Sequence, residues 1–544
     1  MTVATEVLAR RLRLPAPQTT EIEVERDLPM EAGDGAVLLA DRYAARGSGP
    51  QPTVLVRSPY GRRGIFGVLF GRLLAERGLQ VVIQSVRGTF GSGGEFSPFD
   101  EREDGLATLA WIRGQPWHRG GIGMTGPSYL GLVQWAVAPE AGDDLLAITP
   151  SVTASQFHGQ AYGGGSLSLE SAASWLVLVA AQERRLAPVH MLRALRRLPG
   201  QLDELPLGDL DERASGMQLP WYREALAHTG REDAYWVARD FSAGVGKVRA
   251  AAQLVGGWHD IFLPWMIDDF VALRQAGHAP QLIIGPWTHT SPGLTAMSLR
   301  EAAAWLRAHL LGDRRLLHGA PVRAFVTGSA GGWRDLEDWP PPGAREERLH
   351  LHAGGRLEAQ APGDAGPPSH YRYDPADPTP ALGGPVLLSR EPVVDNRPLE
   401  ARADVLTFTT APLAEPLTVI GPVRVELHVR SSLDHFDLFA RVCDVEAGGA
   451  SWNVCDALVR VGPGEPEPDA GGVRRVAFDL WPAAYRFAPG RRLRLQVSSG
   501  AHPRYARNTG TGEPIAEARR LVAADQELFH SAERPSALIL SVVP

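Results

Sequence analysis

A chain of 544 residues is too long for one hydrophobic core, and at a usual domain size of roughly 100–200 residues it should divide into several domains. Its apolar share of 44% and charged share of 22% are those of folded globular proteins and exclude extensive disorder or a fibrous repeat. A net charge of −7 excludes a basic nucleic-acid footprint. No apolar run approaches the ~18 residues of a membrane span or forms a secretory core near the N-terminus, so a cytoplasmic location is expected. Arginine almost replaces lysine, Lys247 being the only one, but the arginines are dispersed along the chain and carry no functional reading by themselves.

Residues 1–20 read as an N-terminal extension. From Glu21 short strands flank a turn at AGDGA, and strand-like and helix-like runs then alternate. PTVLVRSPY is a strand ending in a loop. FGVLFGRLLAERG carries Leu69, Leu73 and Leu74 at helical spacing and stops at Gly78. LQVVIQSVRG, a helix around DGLATLAWIRG, the strand GIGMT and a helix beginning near Tyr129 follow. This alternation predicts a parallel sheet covered on both faces over residues 21–150. Between residues 151 and 246 the periodicity is helical throughout, as in LESAASWLVLVAAQERR, which predicts a helical cap inserted into the first domain. The strands AAQLVGGW and QLIIGPW then resume the sheet over residues 247–342. Short β-rich runs divided by Pro/Gly turns predict an all-β sandwich or jelly roll over residues 343–544. The two cysteines, Cys443 and Cys455, stand symmetrically about the turn VEAGGAS and would face each other across a hairpin, as buried reduced thiols in this compartment.

The stretch GMTGPSYLG, Gly123 to Gly131, sits at a strand-to-helix junction, where a sharp turn can push one side chain into the crevice at the carboxyl ends of the strands. Its glycines remove Cβ groups where strand and helix crowd together, and the Tyr129 amide can face a developing oxyanion. A serine hydroxyl attacks only when a histidine takes its proton and a carboxylate orients that histidine. The run AAQLVGGWHD ends a strand at Asp260 and QLIIGPWTHT ends the next at His289, which gives Ser128, Asp260 and His289 in the chain order of an α/β-hydrolase. His259 is the rival base, but neighbours on an extended segment point to opposite sides, so it reads as a structural or rim residue. Tyr60, in the loop of LVRSPYG, is a second candidate oxyanion donor, although a tyrosine there more often only packs. The loop VRGTFGSGGEF lacks the phase of a phosphate-binding motif.

Together RSPYG, RGTFGSGGEF, GMTGPSYLG, GGWHD, GPWTH, YDPADPTPALGG and QVSSGAHPRYARNTG resemble the cocaine esterase-like branch of the X-prolyl dipeptidyl-peptidase group of serine hydrolases, in order and approximate spacing, from about residue 22 to the end. The resemblance implies an α/β fold, an α/β-hydrolase domain with an inserted helical cap and a C-terminal β jelly-roll domain. It implies Ser128 as nucleophile, His289 as base, Asp260 as orienting acid, and Tyr60 and Tyr129 as oxyanion donors, with no metal or organic cofactor. Trp175, Phe262, Leu387 and Leu388 match positions that line the acyl pocket. A second cap tryptophan of that branch has no counterpart in HGQAYGGGSLSLE, where Ala161 stands near its place, so a differently shaped acyl group is expected.

The expected partner is a small acyl ester or amide, neither nucleic acid nor membrane, with a homodimer as an open option. Amide chemistry, as in an X-prolyl dipeptidyl-peptidase, an α-amino-acid ester hydrolase or a β-lactam acylase, is the alternative and would need carboxylates to recognise an α-amine. Glu170 and Asp268 are the candidates. A non-catalytic binding protein built around the jelly roll is the alternative from another class.

Overall fold

The alternating apolar and helical runs of the first 157 residues, joined by those after residue 232, build one mixed sheet. The structure is a computed structural model describing residues 3–317, 319–363, 366–389 and 391–544. The strands of this sheet are β1 (Ile22–Glu31), β2 (Val37–Ala45), β3 (Gln51–Ser58), β4 (Gln80–Ser85), β5 (His118–Pro127), β6 (Leu145–Ser151), β7 (Ala251–His259) and β8 (Gln281–Thr288). β1 and β2 form an antiparallel hairpin across the AGDGA turn, and β2 lies antiparallel to β4. From β4 onward every pairing is parallel, giving the order β1-β2-β4-β3-β5-β6-β7-β8. Every residue of β4 is buried, as is β3 from Thr53 onward, because helices cover both faces of a parallel sheet. Tyr129–Trp135, Leu263–Gln275 and Pro292–Leu311 are among the helices that pack on it. The Leu73 and Leu74 spacing belongs to a helical stretch from Gly64 to Ala75 whose middle, Gly67–Arg72, is a π-helix; both leucines are fully buried.

By packing, the chain divides into two compact units, Met1–Phe157 with Glu232–Arg323 and His158–Arg231 with Ala324–Pro544. The helical insertion thus coheres with the β-rich region. One cause is visible in the sequence as GGG. Gly164 adopts φ +59 against the strand Ser451–Val461, and a Cβ there would meet the Leu458 carbonyl oxygen at 1.7 Å. The glycine permits a backbone-to-backbone approach that any side chain would forbid.

In this second unit the helices Leu169–Ala181, Ala187–Gln201 and Leu210–Ser215 pack against one another. The long strand Leu417–Ser431 pairs antiparallel with Arg474–Phe487, Ala524–Phe529 and Ala537–Val543. Phe436–Val445 pairs antiparallel with Ser451–Val461 and Arg492–Ser498. Phe408, Val425, Leu427, Leu438, Leu495 and Leu538 form part of its core. The cysteines do lie on neighbouring strands, but a bulge between Val442 and Cys443 sets Cys455 opposite Val442 and Cys443 opposite Asn453. The directly opposed pair expected from the symmetric spacing does not form. Both are buried free thiols, and burial pushes Cys443 up to about 12.

Candidate active site

Strands β5, β7 and β8 run parallel and end at Pro127, His259 and Thr288, so Ser128, Asp260 and His289 leave the sheet from one edge. At the first of these ends the backbone is strained: Ser128 has φ 56 and ψ −124, outside the regions open to ordinary residues. The strain costs on the order of 1–3 kcal/mol and persists because neighbours enforce it. The Ser128 amide donates to the Ser151 carbonyl at 2.8 Å, while its own carbonyl accepts the Leu132 amide at 3.0 Å, which starts the helix Tyr129–Trp135. Two glycines make room. A Cβ on Gly126 would stand 2.4 Å from that of Leu130, and one on Gly131 would stand 2.3 Å from the Thr153 methyl. The Ser128 side chain caps none of the helix amides.

Asp260 is fully buried immediately after β7, and the His289 ring is 7% exposed after β8. His289 Nδ1–H donates to Asp260 Oδ2 at 2.6 Å, while Asp260 Oδ1 accepts the Phe262 amide at 2.9 Å. The carboxylate is therefore fixed by its own turn and in turn fixes the ring, directing Nε2 away from Asp260. His259, the last residue of β7, pairs in register with Thr288. Asp260 makes its hydrogen bond to His289, not to its neighbour in sequence.

Tyr60 follows β3; its amide donates to Ser58 Oγ at 3.0 Å, and its ring stacks on Phe66 and meets the edge of Tyr129 at 6.5 Å between centroids. Tyr129 is buried, and its hydroxyl is engaged twice, donating to Glu101 Oε1 at 2.6 Å and accepting the Phe99 amide at 3.0 Å. Glu101 is itself buried and accepts from Arg57 Nη1 at 2.7 Å. Burial pushes the Glu101 carboxyl up, against the pull of Arg57, and pushes the Tyr129 phenol well above its ordinary range. Sequence reasoning did not find Arg57 and Glu101. A run of aromatic contacts extends from His289 through Phe262, Phe157 and Phe99 to Tyr129, so an apolar ring lies against the imidazole.

Residues 34–291 match the X-Pro dipeptidyl-peptidase (S15 family) profile, and residues 318–539 match the X-Pro dipeptidyl-peptidase C-terminal non-catalytic domain. Cocaine esterase of Rhodococcus sp. (strain MB1 Bresler) is 32% identical over 94% of this chain and 97% of that protein. The chain belongs to the cocaine esterase-like S15 hydrolases. Among solved structures, an α-amino acid ester hydrolase shares the fold with a TM-score of 0.81 at 23% identity, covering 97% of this chain and 98% of that one. An aminopeptidase from the marine sediment archaeon Thaumarchaeota archaeon shares it with a TM-score of 0.80 at 21% identity, over 97% and 98% of the two chains.

The remaining positions expected for this S15 hydrolase fall in both units. Phe262 is buried next to Asp260, its ring 5.7 Å from that of His289. Trp175 lies on the helix Leu169–Ala181 in the second unit, edge-on to Trp221 at 5.0 Å. Leu387 is buried in that unit, its amide held by Ser171 Oγ at 3.1 Å one turn before Trp175, and Leu388 is exposed. Of the two carboxylates considered for amine recognition, Asp268 is exposed, and Glu170 is pushed up by burial, which disfavours its charged form.

Proposed function

We propose that this enzyme hydrolyses carboxylic esters through an acyl-serine intermediate. The observation that carries the reading is the buried Asp260–His289 hydrogen bond at the same sheet edge as the strained Ser128. Ser128 Oγ attacks the ester carbonyl as His289 Nε2 takes its proton. The Tyr129 amide and the Tyr60 hydroxyl receive the oxyanion. Protonated His289, its charge balanced by Asp260, then gives the proton to the leaving alkoxide, and water repeats the sequence on the acyl-enzyme. The Phe262 ring beside His289, itself in contact with Phe157, favours an apolar acyl group. Amine recognition is the weaker reading, because Asp268 is exposed and burial disfavours the charged form of Glu170.

Turnover of nitrophenyl acyl esters by the wild type is expected, with Ser128→Ala slowing it by about a thousandfold or more. Alanine keeps the Cβ, so the variant should retain the circular dichroism spectrum and melting temperature. A folded Ser128→Ala protein working at the wild-type rate would refute the proposal. Release of nitroaniline from Ala-Pro-nitroanilide faster than hydrolysis of simple esters would favour amide chemistry instead.

A further inference from the structure

Arginine is scattered along the sequence, but folding gathers part of it. In the second unit a cavity of about 380 Å³ opens between the end of the helix Leu169–Ala181, the helix Ala187–Gln201 and the turn after Leu210–Ser215. Arg184, Arg193, Arg197 and Arg213 all line it, together with His190. Arg193 and Arg197 stand one helical turn apart, both exposed, and neither has a hydrogen-bond or ion-pair partner among the described residues. Like charges at that spacing repel and destabilise a helix unless something negative lies between them.

The cavity does not supply that charge. Among the described residues Glu212 is the only acidic one lining it, and the Glu212 carboxylate is already taken by Arg223 at 3.0 Å and by Gln218. Arg213 reaches Glu204 at 3.5 Å and donates to the Pro206 and Glu204 carbonyls, while Arg184 donates to the Ser215 carbonyl at 3.2 Å. Nearby Asp211 is paired with Arg223. An excess of guanidinium over carboxylate therefore lines one concave surface, and the forked donors of arginine suit planar or tetrahedral oxyanions in particular. A volume of this size admits an anion somewhat larger than inorganic phosphate.

We propose that this cleft binds a small phosphoryl-bearing anion through Arg184, Arg193 and Arg197, with Arg213 adding to the positive lining. None of Ser128, Asp260 and His289 lines the cleft, so the site is independent of ester hydrolysis. Bound there, the anion ties together three segments of the helical insertion and should raise the stability of the folded chain by mass action.

The test uses the full-length protein at constant ionic strength, titrated with inorganic phosphate, pyrophosphate and glycerol phosphate, with sodium chloride as the control. Binding is read by calorimetry and by the shift in melting temperature. Saturable binding is expected, and an Arg193→Gln/Arg197→Gln double variant should weaken it tenfold or more. Those side chains are exposed, so the variant should fold, which circular dichroism checks. Arg196→Gln, on the same helix but outside the cleft, should bind as the wild type does. Tighter binding of glycerol phosphate than of inorganic phosphate would point to an organic phosphate ligand, and the reverse to the free ion. Sodium chloride reproducing the stabilisation, no saturable binding, or wild-type affinity in the double variant would each overturn the proposal.

Discussion

The Tyr129 hydroxyl shows how a residue can serve a site through both of its ends. Its amide lies one position after Ser128, where the proposed oxyanion forms, and its phenol is fixed between Glu101 and the Phe99 amide. Tyr129→Phe should leave the buried Glu101 one donor short, costing about 1–3 kcal/mol of stability. It should also loosen the turn, lowering kcat about tenfold with KM little changed. Steady-state kinetics alongside thermal melts checks both; an unchanged kcat in a destabilised protein would confine the network to a structural role. None of this could be read in advance. In SPFDEREDG, Glu101 looks like any acid at the start of a helix, and its partners Arg57 and Tyr129 lie 44 and 28 residues away in sequence. The strand ends before Ser128, Asp260 and His289 were legible, because apolar runs closing on glycine and a polar residue mark where a buried parallel strand meets its crevice.

Among the elements, the helix Leu263–Gln275 carries adjacent aspartates with opposite fates. Asp268 is exposed, whereas Asp269 is buried and held by the Ser155 amide at 2.7 Å and by the Ser155 hydroxyl. Burial pushes the Asp269 carboxyl up to about 8. The unfolded chain ionises this group near pH 4 and the folded chain only near 8, so its stabilising contribution is complete below about pH 4 and is lost as pH rises to about 8. The slope is at most about 1.4 kcal/mol per pH unit. Asp269→Asn, which can accept from the Ser155 amide and donate to its hydroxyl, should flatten the fall in melting temperature over that interval and stabilise the protein at pH 8. Parallel slopes in the two proteins would exclude Asp269 as the source. Helical periodicity identifies the buried face only approximately, so the sequence did not separate Asp268 from Asp269. Nor did alternation along the cysteine hairpin reveal the bulge at Val442 and Cys443, since a bulge inserts one residue without changing the apolar pattern.

At the scale of the molecule, the alternating strands and helices, the long helical insertion and the β-rich C-terminal region were all visible as changes of hydrophobic period. The coherence of the insertion with the β-rich region was not, because it depends on close approaches such as that at Gly164, which composition cannot distinguish from an ordinary loop glycine. Two compact units of this size should not unfold as one. Calorimetry should give more than one transition, or a calorimetric enthalpy exceeding the van't Hoff value; a single transition with equal enthalpies would contradict this. The splice also orders events in time. β6 ends at Ser151 and β7 begins at Ala251, so a ribosome makes Ser128 early and must translate the whole insertion before Asp260 and His289 emerge. At usual elongation rates that interval is on the order of ten seconds. Throughout it the nascent polypeptide carries Ser128 without His289, so on the proposed mechanism the hydroxyl stays unactivated until the strands beyond the insertion have been made.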